Sequence, residues 1–316
     1  MHITEPTIAV IVPCFNEEAA IGTVVEDLRA ALPTATIYVY DNNSSDGTRE
    51  VAAAAGAVVR TEMRRGKGNV VRRAFGDIEA DVYLMIDGDN TYDAAAAPQL
   101  VKTLLENHLD HVVGVRVQES TTAYRAGHAT GNKALTGVVG ALFGRSFTDM
   151  LSGYRAFSRR YVKSFPALSR EFEVETELTI HSLHLRIPVA EVPVGFKDRP
   201  DGSESKLRTY RDGWKILNWI LRVTRVERPG LFHGVLAGIL ALVSIVLAIP
   251  VISEYLRTGL VPRFPTAILA TAIMTIAVLT FALGYVLDAI RHAREENARL
   301  SYLRLPAPGW VLDARR

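Results

Sequence analysis

The sequence predicts an α/β domain built on a doubly wound, mostly parallel sheet, followed by an interfacial amphipathic helix and a two-helix transmembrane hairpin. Three observations carry this. Residues 1–205 alternate short β-rich runs with runs of helical period, the pattern of strand-helix-strand units whose sheet is covered on both faces. The runs that read as strands end in clusters of small and polar residues, where open α/β sheets bind their ligands. Finally, Leu231 to Ile252 and Thr266 to Leu287 are each 22 residues long and contain no Asp, Glu, Lys or Arg. About 20 such residues cross a hydrocarbon core of ~30 Å.

The expected strands are Ile8 to Val12, Ile37 to Tyr40, Val58 to Arg60, Val82 to Ile86 and Val112 to Val115. Between the first two, Ile21, Val24, Val25, Leu28 and Leu32 share one face of a helix that Asn16 is placed to cap. Further along, Tyr210 to Val226 sets Trp214, Leu217 and Leu221 at helical spacing among basic residues, the pattern of a helix lying in a membrane interface. Basic residues crowd both outer flanks of the hairpin, from Lys206 to Arg228 and at Arg291, Arg294 and Arg299. The positive-inside bias therefore puts both flanks in the cytoplasm. MHITEP carries no basic n-region, and the apolar run after it breaks at Pro13, so no signal peptide is expected. The expected organisation is an α/β domain over 1–205, a juxtamembrane helix over 206–230, spans at 231–252 and 266–287 within 231–288, and a tail over 289–316. The α/β domain and both termini are expected on the cytoplasmic side of the cell (inner) membrane.

Composition narrows the functional classes. Against 36 Lys and Arg stand 34 Asp and Glu among 316 residues, so no nucleic-acid-coating surface is expected. With 22% charged and 48% hydrophobic residues the chain is not of disordered composition, and its mean hydropathy of +0.13 reflects the C-terminal runs. Cys14 is the one cysteine, which excludes an internal disulfide framework and a Cys-rich zinc site. The pairs His108/His111 and His181/His184 lack a third ligand and read as structural.

No GxGxxG follows the first strand and no GxxxxGK[ST] occurs, which removes the dinucleotide-binding and P-loop readings. The first strand instead ends in Pro13-Cys14-Phe15-Asn16-Glu17, the second in Asp41 to Thr48 and the fourth in Asp87-Gly88-Asp89-Asn90. Two carboxylates flanking a glycine after a buried strand can bind a hard divalent cation, which neutralises a diphosphate. Arg64-Arg65-Gly66-Lys67-Gly68-Asn69 adds a basic, glycine-flanked loop able to reach phosphates. Singly, each is equally an acidic turn or a solvated basic loop; their order along the chain gives them weight.

In that order the chain resembles a family 2 glycosyltransferase of GT-A fold, and within it the membrane-anchored polyprenyl-phosphate (dolichyl-phosphate-type) mannosyl- or glucosyltransferases. The matching blocks are IVPCFNEE at 11–18, DNNSSDGT at 41–48, RRGKGN at 64–69, DGDN at 87–90, GVR at 114–116, TDMLSGYRAF at 148–157, FEVETEL at 172–178 and DRPDGSESKL at 198–207. The resemblance implies inverting transfer of a hexose from a nucleotide sugar, UDP-glucose or GDP-mannose, to the phosphate of a polyprenyl phosphate lipid. It implies that Pro13, Phe15 and Glu17 line the base and ribose pocket and that Asp41 bonds the nucleobase. Asp87 would meet the ribose or the metal, Asp89 would coordinate Mg²⁺ or Mn²⁺, and Arg64 and Lys67 would meet phosphates or donor sugar. Arg116, Ser152 and Arg155 would face the acceptor phosphate and the transferred sugar, with Asp149 near the reacting centre. Lys206 would close over the donor phosphates or bind lipid headgroups. A homo-oligomer is a further expectation from anchored relatives.

The chain also departs from the pattern. Asn42 stands where a second aspartate is expected, Thr91 where some relatives carry a glutamine that binds metal, and Ala129 or Thr130 where an arginine is expected, leaving Lys133 among the residues that could supply charge. Two other functional readings remain open: a family 2 transferase that elongates a glycan or glycolipid, and a catalytically silent nucleotide-sugar-binding scaffold at the membrane.

Overall fold

The computed structural model describes residues 5–118, 147–167, 174–197, 225 and 228–307. The chain divides into two units, Met1–Lys206 with Asn297–Arg316, and Leu207–Glu296.

The first unit holds a seven-stranded sheet of order β3-β2-β1-β4-β6-β5-β7. Its strands are β1 Ile8–Cys14, β2 Thr36–Asp41, β3 Val58–Thr61, β4 Val82–Met85, β5 His111–Gln118, β6 Arg155–Ser158 and β7 Val189–Phe196. All neighbours pair in parallel except β6, which runs antiparallel to both β4 and β5. The described helices of this unit are α1 Glu18–Ala31, α2 Thr48–Ala54, α3 Lys67–Asp77, α4 Ala97–Glu106, α5 Arg159–Ser164 and α6 Val174–Leu185.

The β1 sequence IAVIVPC explains the double winding. Val10 and Val12 enter the core that α1 and α4 cover, whereas Ala9 and Ile11 enter the core with Val70 and Phe75 of α3. A strand buried on both faces needs a continuous apolar run, and this strand has one. Each buried Val or Ile contributes about 1.5–3 kcal/mol, and Val10, Ile11 and Val12 are all inaccessible to solvent. Registers Cys14 to Asp41 and Ile11 to Met85 bring the carboxyl ends of β1, β2 and β4 to one rim.

The five expected strands are present, each within a few residues of its expected ends, and two strands and one cap differ from expectation. Strand β6 (RAFS) is four residues long and wholly buried, too short to show a period. Strand β7 carries Pro193 and ends the described strand order beside β5, with one further bridge from Phe196 to Tyr92, and proline in a strand is tolerated at such an edge. Asn16 does not cap α1. It sits at φ 57, donates its N–H to Ser44 Oγ at 2.9 Å and accepts the Ser45 N–H at 2.9 Å, so it ties two rim loops together while Glu17 precedes the helix without a side-chain cap bond.

In the second unit, α7 Pro229–Thr258 and α8 Phe264–Leu303 are long and apolar enough to cross a membrane. Within the hairpin, Ser244 Oγ–H donates to the Ala270 carbonyl at 2.7 Å, and a Cβ on Gly284 would lie 2.6 Å from His233 Cβ. Gly259, at φ 71, ends α7. Helix α8 extends well past the expected end of the span. Its last turns belong to the first unit, where Tyr302 Oη–H donates to the buried Asp110 at 2.8 Å and Arg299 donates to the Leu185 carbonyl at 2.7 Å. Most of the expected interfacial helix over 206–230 lies outside the described residues.

Candidate active site

The rim at the ends of β1 and β2 is built by side chains that bond loop backbone. Asp41 is fully buried, accepts the Ser44 N–H on both carboxylate oxygens at 3.3 Å, and has Arg49 Nε at 3.9 Å. Glu17 N–H donates to Thr48 Oγ1 at 2.9 Å. Phe15 is exposed, with the Arg65 guanidinium 5.0 Å above its ring. Pro13, Phe15, Glu17 and Asp41 thus lie along one stretch of the rim. Burial pushes the Cys14 thiol well above its usual range, so it stays protonated and acts as a small buried side chain.

Asn42 holds the basic loop. Its amide nitrogen donates to the carbonyls of Glu62 at 3.0 Å and Arg64 at 2.7 Å, while its oxygen accepts the Gly66 N–H at 2.7 Å. Two carbonyls on one side and an N–H on the other fix the amide orientation. An aspartate could not donate either bond, so the departure at position 42 is matched to the loop it grips. Gly66, at φ 117, then turns the chain into α3, and Arg64 points into solvent.

At the end of β4 the acidic turn is pressed against β1. A Cβ on Gly88 would lie 2.4 Å from Cys14 Sγ, so only glycine allows this approach. Asp89 is buried and its Oδ1 accepts from Thr91 N–H at 3.3 Å and Thr91 Oγ at 2.6 Å. Thr91 therefore orients Asp89. Asp87 is partly exposed at the rim and is bonded by Lys67 Nζ, which also meets Glu175 Oε1 at 2.5 Å. Burial would lower the Lys67 pKa, but the charges of Asp87 and Glu175 outweigh it and hold the ammonium well above its usual range. Glu175 Oε2 is buried and has no hydrogen-bond partner among the described residues; leaving such an oxygen unpaired costs about 1–3 kcal/mol.

Among the described residues no cluster of three or more His, Cys, Asp or Glu could form a protein cage for a metal ion. Asp87 and Asp89 offer carboxylate oxygens alone. That donor set fits Mg²⁺ or Mn²⁺ held by one or two carboxylates and completed by substrate phosphates and water; it does not fit a structural zinc site.

Across the sheet, the end of β5 supplies Arg116. Its Nε and Nη2 donate to the two oxygens of Asp149 at 2.7 and 2.8 Å, a bidentate pair, and its guanidinium lies 5.4 Å over Phe196. Burial would raise the Asp149 carboxyl, but the hydrogen bonds and charge of Arg116 hold it below the ordinary carboxylate range. Gly153 follows closely: a Cβ there would fall 2.2 Å from Asp87 Oδ2.

Two expected acceptor residues sit elsewhere. Ser152 is fully buried, its hydroxyl donating to the Gly114 carbonyl at 2.5 Å and accepting the Tyr154 N–H at 3.2 Å. Arg155 is 0% exposed and donates to the carbonyls of Ser152 at 2.8 Å and Met150 at 2.6 Å and to Thr179 Oγ1 at 2.9 Å. Both side chains are engaged within the protein and shape the turn that carries Asp149 and Gly153. Lys67, expected at phosphates, is engaged by carboxylates. Lys133 and Lys206 lie outside the described residues. Glu175 and the Tyr92 hydroxyl, which accepts the Gly153 N–H at 2.9 Å, are site features that sequence reading did not single out; the one available signal was the acidic FEVETEL block itself.

Residues 9–165 match the profile described as Glycosyl transferase family 2. Glycosyltransferase AglJ of Haloferax volcanii is 35% identical over 233 residues, 73% of this chain and 76% of its own length. The chain belongs to glycosyltransferase family 2. Another relative within reach is a dolichyl-phosphate hexose transferase of the same organism, 28% identical over 221 residues that cover 70% of this chain and 95% of that protein. Among solved structures, a glucosyl-3-phosphoglycerate synthase of Mycobacterium tuberculosis in complex with Mn²⁺, UDP and glucosyl-3-phosphoglycerate superposes with a TM-score of 0.56, at 23% identity, over 70% of this chain and 80% of that one. That likeness establishes the GT-A-like α/β fold of this family 2 enzyme.

Proposed function

We propose that this enzyme transfers a hexose from a nucleotide sugar, UDP-glucose or GDP-mannose in the first instance, to the phosphate of a polyprenyl phosphate at the cytoplasmic membrane face, with inversion at the anomeric carbon. The observation that carries the reading is the Asp87-Gly88-Asp89 turn, packed against β1 on the same rim as Asp41, in a chain that goes on to two helices long enough to cross a membrane. The likeness to a dolichyl-phosphate hexose transferase along nearly the whole of that relative supports the lipid acceptor, and the Mn²⁺ and UDP of the solved relative support the donor chemistry. The basic flanks of the hairpin support a cytoplasmic catalytic unit.

Asp41, Phe15 and Glu17 would receive the nucleoside. Asp89, oriented by Thr91, and Asp87 would hold Mg²⁺ or Mn²⁺, which when bound neutralises the leaving diphosphate. Arg116 would orient the acceptor phosphate at the far side of the rim. A phosphate monoester has its second pKa near 6, so the nucleophile arrives deprotonated and needs no base. Asp149 accordingly serves to fix Arg116; Asp149→Asn should keep turnover within about tenfold, whereas loss of a true general base costs about 10²–10⁴.

The test is to incubate the purified full chain in detergent with undecaprenyl phosphate, Mg²⁺ or Mn²⁺ and radiolabelled UDP- and GDP-hexoses, with Asp89→Ala as control. Label entering the lipid from one donor, and lost in the variant, is the expected result. Label entering no lipid from any donor would refute the reading.

A further inference from the structure

Lys67 holds two carboxylates that are unequally placed. The Asp87 side chain is 29% exposed at the rim, the Glu175 side chain 6%, and the lysine between them 9%. An ammonium this deep must keep an anionic partner at all times. Asp87, however, is one of the two carboxylates whose oxygens suit a divalent cation, and it cannot serve Lys67 and the cation equally well. The orphan atom resolves the conflict. Glu175 Oε1 already accepts from Lys67 at 2.5 Å, and Oε2 of the same carboxylate is buried without a partner among the described residues. Oε1 and Oε2 belong to one carboxylate, so a second N–H of the same ammonium turned onto Oε2 would satisfy that oxygen and keep the buried charge paired.

We propose that Lys67 and Glu175 are positioning residues that gate the metal site: Lys67 caps Asp87 before the donor binds, and withdraws onto both oxygens of Glu175 when Asp87 is taken up in coordinating a divalent cation. This rests on the reading of Asp87 and Asp89 as cation ligands. Gly153 fits the same scheme, because the missing Cβ leaves room for the Asp87 carboxylate beside it. The consequence is that cation affinity without nucleotide is held down by the Lys67–Asp87 contact, and the donor's diphosphate supplies the oxygens that tip the exchange. Metal and nucleotide would then bind together and not one by one.

Mn²⁺ titration of the full chain in detergent, followed by electron paramagnetic resonance with and without UDP or GDP, separates this from a structural role. Lys67→Met is expected to raise nucleotide-free Mn²⁺ affinity about tenfold or more, since a like-charged competitor leaves the ligand. Glu175→Gln, which leaves Lys67 only Asp87 as a full anion, is expected to lower it at least about threefold. Mere support of the fold would lower both. Should Lys67→Met fail to fold, the double variant Lys67→Met/Glu175→Gln buries no charge at either position and is expected to share the raised affinity. Mn²⁺ affinities that fall or stay level in the variants lacking Lys67, while the wild type binds Mn²⁺ with UDP or GDP, would overturn the gate alone. No Mn²⁺ bound by the wild type with either nucleotide would overturn the metal reading and the gate with it.

Discussion

Asparagine at position 42 offers the sharpest test of how the donor rim is built, because the substitution that brings the chain closer to its family's pattern should weaken it. Asn42→Asp removes the two bonds donated to the carbonyls of Glu62 and Arg64 and leaves carboxylate oxygens facing them; the bond accepted from Gly66 N–H survives. At about 1 kcal/mol for each lost bond, the variant loses about 2 kcal/mol before any repulsion is counted. For a domain of about 150–250 residues, each kcal/mol moves the midpoint by about 2–4 °C. The catalytic unit should therefore melt about 4–8 °C lower, and Asn42→Ala, which loses the bond from Gly66 N–H as well but sets no charge against the carbonyls, should also melt below wild type. Thermal unfolding of the full chain in detergent, followed by near-UV circular dichroism, reads the stability. Titration with UDP and GDP in the same samples reads the function, since the loop carries Arg65, whose guanidinium lies over the Phe15 ring at the rim. A midpoint within a degree of wild type, with unchanged nucleotide affinity, would show that the loop does not depend on this amide.

Other consequences are as direct. Gly153→Ala places a methyl 2.2 Å from Asp87 Oδ2; Mn²⁺ affinity in the presence of nucleotide and the rate of lipid labelling should both fall, by about tenfold or more for displacement of a ligand in a preorganised site, and equal rates would refute the packing. Arg155→Met leaves two carbonyls unpaired and should lower stability by about 2–6 kcal/mol at about 1–3 for each, read as a lower melting midpoint. Mild acid should destabilise the domain: burial pushes His181 down to about 3 and His111 well below its usual value, so both stay neutral when folded while the unfolded chain takes up protons. Stability is then full above about pH 6.5 and is lost as pH falls; at pH 5 the His181 share alone is 1.5 units, about 2 kcal/mol. His181→Phe should flatten the melting profile between pH 6.5 and 5 by about one proton.

The features legible in the sequence are those written in local patterns. Continuous apolar runs gave β1 and β4, the period of Ile21 to Leu32 gave α1, and uncharged length gave the two hairpin helices. Helix α6 escaped because it is buried on nearly every side, Thr179 and Ser182 included, and therefore shows no apolar stripe. Three of the expected site residues are engaged by other groups of the protein, and they share a cause. Ser152, Arg155 and Lys67 are polar residues beside strand ends or glycines, where sequence suggests a ligand; whether such a group faces the cleft or the interior depends on partners from distant elements. Arg155 is fully absorbed by Met150, Ser152 and Thr179, and Lys67 by Asp87 and Glu175. No spacing rule connects Lys67 to Glu175, because α3 and α6 meet only in the folded core.

The electrostatics of the rim bear on the choice between a phosphate and a sugar hydroxyl as acceptor. Transfer to a hydroxyl requires a base whose pKa stands near the working pH, and buried carboxylates are raised toward it when no cation is close. Asp149 is the carboxylate paired with Arg116, the residue proposed above to meet the acceptor, and its environment does the opposite: Arg116 grips both oxygens and keeps the carboxyl acidic. Buried histidines offer no substitute, since His111 bonds Ser182 and stacks on Phe157, and His181 meets Ser164. Among the described residues the rim therefore favours a nucleophile that is already an anion. A glycan hydroxyl would arrive protonated at a site tuned to hold charges in place, whereas a lipid phosphate would arrive ionised and ask only to be positioned. That asymmetry supports polyprenyl phosphate over an elongating glycan as the acceptor.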